Sequence, residues 1–522
     1  MKRYILIVLS FVFLCIACYK DHSGNRIVLL PSIQIEGDSA YQKISCHQFS
    51  RLHLEPEIYR KGIVKEKLQC KWEIKSKEID RVIGRQAVLD TLVTVPPASD
   101  PYSLLLTVTD ETTGISAFRI YKLTVLPVLG EGLIVADTKD GGVSTDLTLI
   151  QAGNFADNLG DSLVIRRNLY SQVNGEAVVG RVTGLQNINI KTNRTLTIFT
   201  PADIFRIDPY SYAGIDRGKE MFIIPPMDEE MLPQSIYYLP TVGAELLLMN
   251  GHLYVRGCQG TNKTYSYYTV TDDMTDYYAT QLGPVGGLYN FQANMGGFLF
   301  DGLGQRRILA LNITGQGLRR LKSGSTLFDP NHIGEKSCLY MGETKGRIMN
   351  LVMKDDKQAH YEIYSLRLDQ KDNGTLPCGR YDVSSCPDIA FSRYYEFSTV
   401  EDVFYYATVE SVYAAEYIQG IPVTYKRYTV EKPESETITS IDLWRWNGKV
   451  VIPSFGDPTG KATVNAKNRM LVVTTYDEVS CEGKVVCLPI EALGAGGIVT
   501  DPAYYTVYKG FGRILAVGNQ EN

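Results

Sequence analysis

The sequence predicts an all-β protein, with a small immunoglobulin-like β-sandwich near its start and a β-propeller-like domain of about seven blades after it. Tyrosine is abundant at 34 residues against 3 Trp, and Tyr, Thr, Val and Ile fill short runs divided by Gly, Asn, Asp and Pro. That is the composition of strands joined by turns. No long run carries the 3.6-residue period of an amphipathic helix. Weak internal echoes, described below, suggest a repeated sheet unit.

Residues 27–127 form the predicted sandwich. Trp72 stands in the alternating run 68–74 (LQCKWEI), a strand with one buried face. A second alternating run, 102–110, is followed by the polar turn Glu111, Thr112, Thr113, Gly114 and then by a further run to Val125, which together make a hairpin. About 100 residues with a strand Trp and a closing hairpin suit an immunoglobulin-like sandwich.

From residue 131 to residue 522 the texture is one of short strands: 132–136 (GLIVA), 245–249 (ELLLM), 252–255 (HLYV), 297–300 (GFLF), 403–407 (VFYYA) and 470–474 (MLVVT). Asn-Gly pairs at Asn174-Gly175, Asn250-Gly251 and Asn447-Gly448 suit tight hairpin turns, which need positive φ. Two echoes suggest a period. The run 307–312 (RILALN) returns at 513–517 (RILAV), and the Asn250-Gly251 turn returns at Asn447-Gly448. Both offsets are about 200 residues, or about four units of the ~50 residues typical of a propeller blade. The Asn174 turn falls outside that period, and stacked β-sandwiches are the alternative. In a propeller, the strand at 513–517 completes the blade begun near Gly132 and removes the free sheet edges.

The first 26 residues carry an address. Lys2 and Arg3 precede an apolar run to Ile16, and small Ala17 stands directly before Cys18. The run is too short to span a bilayer as a mature helix and suits a secretory signal, residues 1–17. The Ala17-Cys18 junction resembles a bacterial lipobox, which makes Cys18 the site of lipidation, including a palmitate-type acyl chain, and 18–26 a tether. Each buried methylene adds about 0.8 kcal/mol, so two or three chains anchor a protein stably.

An exported chain with an even number of remaining cysteines suggests disulfides. The candidate pairs are Cys46/Cys70, Cys378/Cys386 and Cys481/Cys487, with Cys258/Cys338 a weaker fourth; free buried thiols are the alternative. No CxxC or close Cys/His set suggests zinc.

Two segments resemble a known family. The 102–110 hairpin, with Gly114 and Val125 closing it, is similar to the last hairpin of PKD-type domains, and Trp72 to their strand Trp, although Glu73, Ile74 and Lys75 replace the usual Phe-Gly-Asp-Gly. Cys18, Tyr19, Lys20 and Asp21, with Gly24 and Asn25 shortly after, resemble the start of the PKD-like family lipoproteins of Bacteroidota; His22 and Ser23 depart from it. The resemblance covers roughly the first 130 residues. It implies an outer-membrane lipoprotein in the company of a TonB-dependent transporter and its lid lipoprotein, and Lys20-Asp21 resembles the short charged signals that send such proteins to the cell surface. The periplasmic face is the alternative.

Composition excludes little else. A net charge of -5 without a basic stripe argues against nucleic-acid binding. The six His residues form no HExxH, and no Gly-x-Ser-x-Gly or Walker loop occurs, so no catalytic residue, cofactor or metal is expected. Aromatic clusters are the lead. Trp444 and Trp446 flank Arg445, so in a strand both rings share one face, and Tyr265 and Tyr267 repeat the pattern. Such rings suit sugar or peptide surfaces, or else they pack between blades. The expected function is capture of a glycan or peptide for uptake. A glycoside hydrolase or lyase with carboxylates in the propeller funnel, and a protein-docking platform, are the alternatives.

Overall fold

A computed structural model describes residues 33–36, 41–60, 67–77, 79–98, 100–160, 162–190, 193–239, 243–258, 264–268, 276–284, 295–312, 317–346, 348–369, 374–492, 494 and 496–521. Cys18 and residues 1–17, the expected leader, lie outside them. The chain divides into two compact units, one ending at Leu126 and a second that starts at Pro127 and also takes in Thr94–Pro97.

The first unit is built from strands. Its larger sheet runs in the order Tyr41–His47, Ser116–Leu126, Tyr102–Asp110, Leu68–Lys75, Asp80–Gly84, with only the first pair parallel. Two short ladders, Ile33–Ile35 with Ile58–Arg60 and Arg51–Leu54 with Leu89–Leu92, complete it. The alternation in Tyr102–Asp110 buries Tyr102, Leu104, Leu106 and Val108 on one face. Trp72 is fully buried, its ring 5.6 Å from that of Tyr121 and its Nε1 donating to the Gln86 carbonyl. The hairpin turn is held by the buried Asp110 carboxylate, which accepts from Thr112 N at 2.8 Å and Thr113 Oγ1 at 2.7 Å.

The second unit is a β-propeller. Among the described residues, seven sheets of at least four strands follow one another, here blades 1 to 7. Their inner strands are Arg513–Gln520, Gly184–Ile190, Pro233–Leu239, Gln281–Pro284, Lys336–Thr344, Tyr394–Phe397 and Glu436–Leu443. Each touches the next, and the ring closes where Arg513–Gln520 meets both Gly184–Ile190 and Glu436–Leu443.

Blade 1 is shared between the two ends of this unit: Arg513–Gln520 pairs antiparallel with Gly132–Thr138, Val517 opposite Val135 and Asn519 opposite Leu133. The expected closing strand is therefore present. Gly512 leads into it where a Cβ would lie 2.1 Å from the Thr138 carbonyl oxygen, so a larger residue could not pass.

The core lies between blades, because each sheet has two apolar faces to cover. Phe298, Phe300 and Ile308 of blade 4 pack with Met341, Met349 and Leu351 of blade 5, and equivalent clusters join blades 2 and 3, 3 and 4, 5 and 6, 6 and 7, and 7 and 1. Blade 7 carries an inserted hairpin, Lys449–Pro453 with Lys461–Asn465, and Phe455 at its tip is fully exposed.

The repeat echoes do not mark equivalent positions. Arg307–Asn312 is the third strand of blade 4, whereas Arg513–Gln520 is an inner strand. Asn250 and Gly251 (φ 46° and 73°) turn between the second and third strands of blade 3, but Asn447-Gly448 precedes the inserted hairpin. Asn174-Gly175 is no hairpin turn: it ends the helix Leu169–Asn174, with Gly175 as a left-handed cap.

Candidate functional site

A closed ring of inner strands brings residues distant in sequence toward one axis. Glu396 sits in the inner strand of blade 6 within the run Tyr394–Phe397, the one charge in an otherwise apolar and aromatic strand. Its Oε1 accepts from Arg445 Nη2 at 2.6 Å, from Tyr340 OH at 3.2 Å and from Phe397 N at 3.0 Å. Arg445 follows the inner strand of blade 7 and also reaches the Phe397 carbonyl at 3.4 Å. Tyr340 belongs to the inner strand of blade 5. Three consecutive blades thus meet on one carboxylate.

Two further groups complete the cluster. Asp442 lies near the end of the inner strand of blade 7, accepting from Ser440 Oγ at 3.2 Å. Burial, reinforced by the nearby Glu396 charge, pushes its carboxyl up to about 7, against the opposing pull of Ser440 and Arg445. Tyr237, in the inner strand of blade 3, is pushed up to about 12 by burial, with Glu396 raising it and Arg445 lowering it. Blade 3 neighbours neither blade 6 nor blade 7, so these fields act across the axis.

Burial works against the Arg445 charge, but the Glu396 carboxylate and Tyr340 outweigh it and hold the guanidinium above its ordinary value. Arg445 nevertheless keeps 36% of its side chain open. A group that is partly open yet ringed by protein is at the wall of a lumen. Chemically, the cluster offers an anionic acceptor, a planar cation with several donors, a carboxyl that holds its proton until near neutrality, and two phenols.

The aromatic candidates lie elsewhere. Trp444 is 3% exposed, and its ring meets Phe155 edge-on at 5.0 Å and Trp446 at 5.0 Å in the core between blades 7 and 1. Its Nε1 donates to the Asn447 carbonyl. The strand ends at Leu443, so Trp444 and Trp446 are not strand neighbours sharing a ligand face; Trp444 is buried between the sheets and Trp446 partly so. Tyr265 is wholly buried in blade 3, donating to Glu245 at 2.8 Å beside the buried Glu245–Arg256 ion pair, and cannot meet a ligand. Tyr267 is exposed but stacks on Tyr254 at the outer edge of that blade, remote from the axis. The structure does not bring these four together.

The disulfide pairs are also corrected: all eight described cysteines are free thiols. Cys481 lies in a turn and Cys487 six positions along an extended strand, about 20 Å away at 3.3 Å per residue. Cys46 and Cys70 lie on strands separated by two others, about 14 Å apart at 4.8 Å per strand. Cys378 is on the outer strand of blade 5, while Cys386 accepts from Thr424 of blade 6. Cys258 and Cys338 stand in blades 3 and 5.

Sequence reasoning missed Tyr237, Tyr340, Glu396 and Asp442 and treated Arg445 only as a spacer. The available signal was the isolated charge inside an apolar inner strand at Glu396; the strand of Asp442 also holds Glu436, Thr437, Thr439 and Ser440, so no such contrast marked it.

No family model matches this chain, and no curated protein does. Among solved structures, a quinoprotein alcohol dehydrogenase-like protein of Bacteroides thetaiotaomicron is 11% identical over 90% of this chain and 96% of its own, with a TM-score of 0.50. The dihydro-heme d1 dehydrogenase NirN is 9% identical over 86% of this chain and 75% of its own, TM-score 0.37, and apo AztD from Citrobacter koseri is 11% identical over 85% and 99%, TM-score 0.34. At such identity the first of these is a likeness of fold alone, that of a β-propeller protein.

Proposed function

We propose that the protein is a lipid-anchored binding or accessory component of an outer-membrane nutrient-uptake system, which holds a hydroxyl-rich ligand, a glycan or a peptide, at the axis of its propeller. The binding part rests on the convergence of Tyr340, Arg445 and Glu396 from three blades, with Asp442 beside them and Tyr237 across the axis. A few polar groups of mixed donor and acceptor character, set in an otherwise apolar scaffold, orient a polar ligand. The anchor rests on Cys18 and its lipobox-like flank, and the first unit, read as a PKD/Ig-like module, serves as a spacer. A TonB-dependent transporter and its lid lipoprotein are the partners that the family resemblance implies, at the cell surface.

Retention of the purified protein on glycan and peptide arrays tests the binding site. Arg445→Gln should weaken retention at least about tenfold, as expected when a hydrogen-bonding cation is lost, and Tyr237→Phe, which leaves the ion pair intact, should weaken it less. Retention unaffected by both would refute an axial site. For the anchor, Cys18→Ala should abolish fatty-acid labelling and move the protein to the soluble fraction.

A glycoside hydrolase or lyase is the second reading, and Asp442 favours it. A carboxyl that keeps its proton to about 7 near an ion-paired carboxylate is the acid–base pairing that glycoside cleavage uses. New reducing or unsaturated ends released from a polysaccharide, and lost in Asp442→Asn, would replace the binding reading.

A further inference from the structure

Charge is spread unevenly over the seven inner strands. Those of blades 2, 3 and 4 carry none, and that of blade 1 carries only Arg513. The inner strands of blades 5, 6 and 7 carry Lys336, Glu343, Glu396, Glu436 and Asp442. Lys336, Glu436 and Arg513 each open their strand, and each is ion-paired, with Glu362, Lys484 and Glu478 respectively. Glu343, Glu396 and Asp442 are left, and Arg445 is the cation that joins them.

That guanidinium is already committed. Its Nη2 lies 2.6 Å from Glu396, and the Glu343 charge adds to the field that keeps it protonated. Asp442 has no cation of its own among the described residues: the bond it accepts comes from the Ser440 hydroxyl at 3.2 Å. Yet Asp442 is only half-buried, as are Tyr237, Tyr340 and Glu343, so a ligand on the axis can touch it. Burial and the Glu396 charge make it hold its proton to about 7. A positive charge brought alongside reverses that resistance to ionising.

The three ligand charges then rank clearly. An anion would have to prise Glu396 from Arg445 and would face the Asp442 and Glu343 carboxylates. A neutral ligand leaves Asp442 without a counter-charge. A cation supplies one, inside walls that exclude part of the water that would screen the pair. Asp442 offers a single carboxylate, short of the roughly six to eight oxygens that calcium takes, so the cation is organic. An ammonium, with three N–H donors, suits one carboxylate beside phenol oxygens.

Building on the axial site proposed above, we infer that its ligand carries a primary ammonium group, which stands against Asp442 while neighbouring hydroxyl or amide groups meet Arg445 and Tyr237. An unacetylated amino sugar and a lysyl peptide share that chemistry.

Calorimetry on the purified protein at pH 7 tests this in two arms. One compares chitosan oligosaccharides with their N-acetylated forms, and the other a lysine-containing peptide with the same peptide bearing acetyl-lysine. In at least one arm the ammonium form should bind about tenfold more tightly or better, and that arm identifies the source. Asp442→Asn should abolish the preference, whereas Tyr237→Phe, which keeps every charge, should retain it. The acetylation comparison uses the parent protein and stands whatever the stability of the variants. The proposal is overturned if the acetylated forms bind as tightly, if oligouronates or a glutamyl peptide bind more tightly, or if Asp442→Asn keeps the preference. In each of those cases, binding that still weakens in Arg445→Gln leaves the axial site standing. If no probe binds, the axial site falls with the proposal.

Discussion

The hydroxyl of Tyr212 donates to Oε1 of Gln520 over 2.9 Å, joining the turn after the third strand of blade 2 to the last residue of the closing strand. Tyr212 is fully buried, and the Gln520 amide nitrogen is also used, donating to the Gly130 carbonyl at 3.0 Å. One side chain thereby ties the strand that closes the ring to both of its flanks. Gln520→Ala leaves a buried phenol and a carbonyl without partners and should lower stability by roughly 1–3 kcal/mol. Urea denaturation measures this; an unchanged midpoint would show that the latch contributes nothing.

Asp442 makes stability depend on pH with a defined sign. Its ordinary value of 3.8 is raised to about 7 in the folded protein, so between those limits the folded state holds a proton that the unfolded state has released. Stability therefore falls as pH rises from about 4 to about 7 and is level beyond. Asp442→Asn removes this contribution. The variant should gain on the parent in melting temperature as pH rises from about 5 to about 8. A gap equal at both ends would mean that Asp442 titrates normally.

Trp444 is a packing residue. Trp444→Ala should cost about 3–5 kcal/mol, the range for removing a buried aromatic ring, and Trp446→Ala less, since its ring is only partly buried. Retention on the arrays, measured where both proteins are folded, should be unchanged. Selective loss of retention at full stability would restore these rings as a ligand surface.

Thiol reactivity should follow exposure. Cys481 is exposed, whereas Cys70, Cys258, Cys338, Cys386 and Cys487 are buried. Burial also raises the Cys487 and Cys338 thiols, which keeps the reactive thiolate scarce. A maleimide added to the native protein should modify Cys481 first and Cys487 only after unfolding. Peptide mapping without reductant that found Cys481 joined to Cys487 would contradict the extended strand between them.

Local patterns in the chain expressed much of this architecture. The hairpin Tyr102–Asp110 with Ser116–Leu126 is legible because its period-two alternation is continuous and a Gly at φ 71° marks the turn. The closing strand is legible because a β run stands where a propeller needs its last edge. The axial cluster is not. Glu396 meets Arg445 49 positions away and Tyr340 56 positions away, contacts that only ring closure creates. The Trp-x-Trp pattern misled for a related reason: periodicity identifies rings that share a face only while the strand continues, and this one ends at Leu443.

Gly512 donates its backbone N–H to the Asp137 carboxylate over 2.6 Å across 375 positions of chain. Joining ends so far apart carries an entropic cost of about 5 kcal/mol from the logarithm of loop length alone. A chain made from its N-terminal end can complete blades 2 to 7 from neighbouring sequence as it emerges. Blade 1 has to wait for the last segment. Until then Gly132–Thr138 presents an unpaired edge, a template on which a strand of another chain can grow. A molecule clipped short of residue 513 is thus an open arc with an adhesive margin, and proteolysis at this single end converts a closed ring into a seed for aggregation.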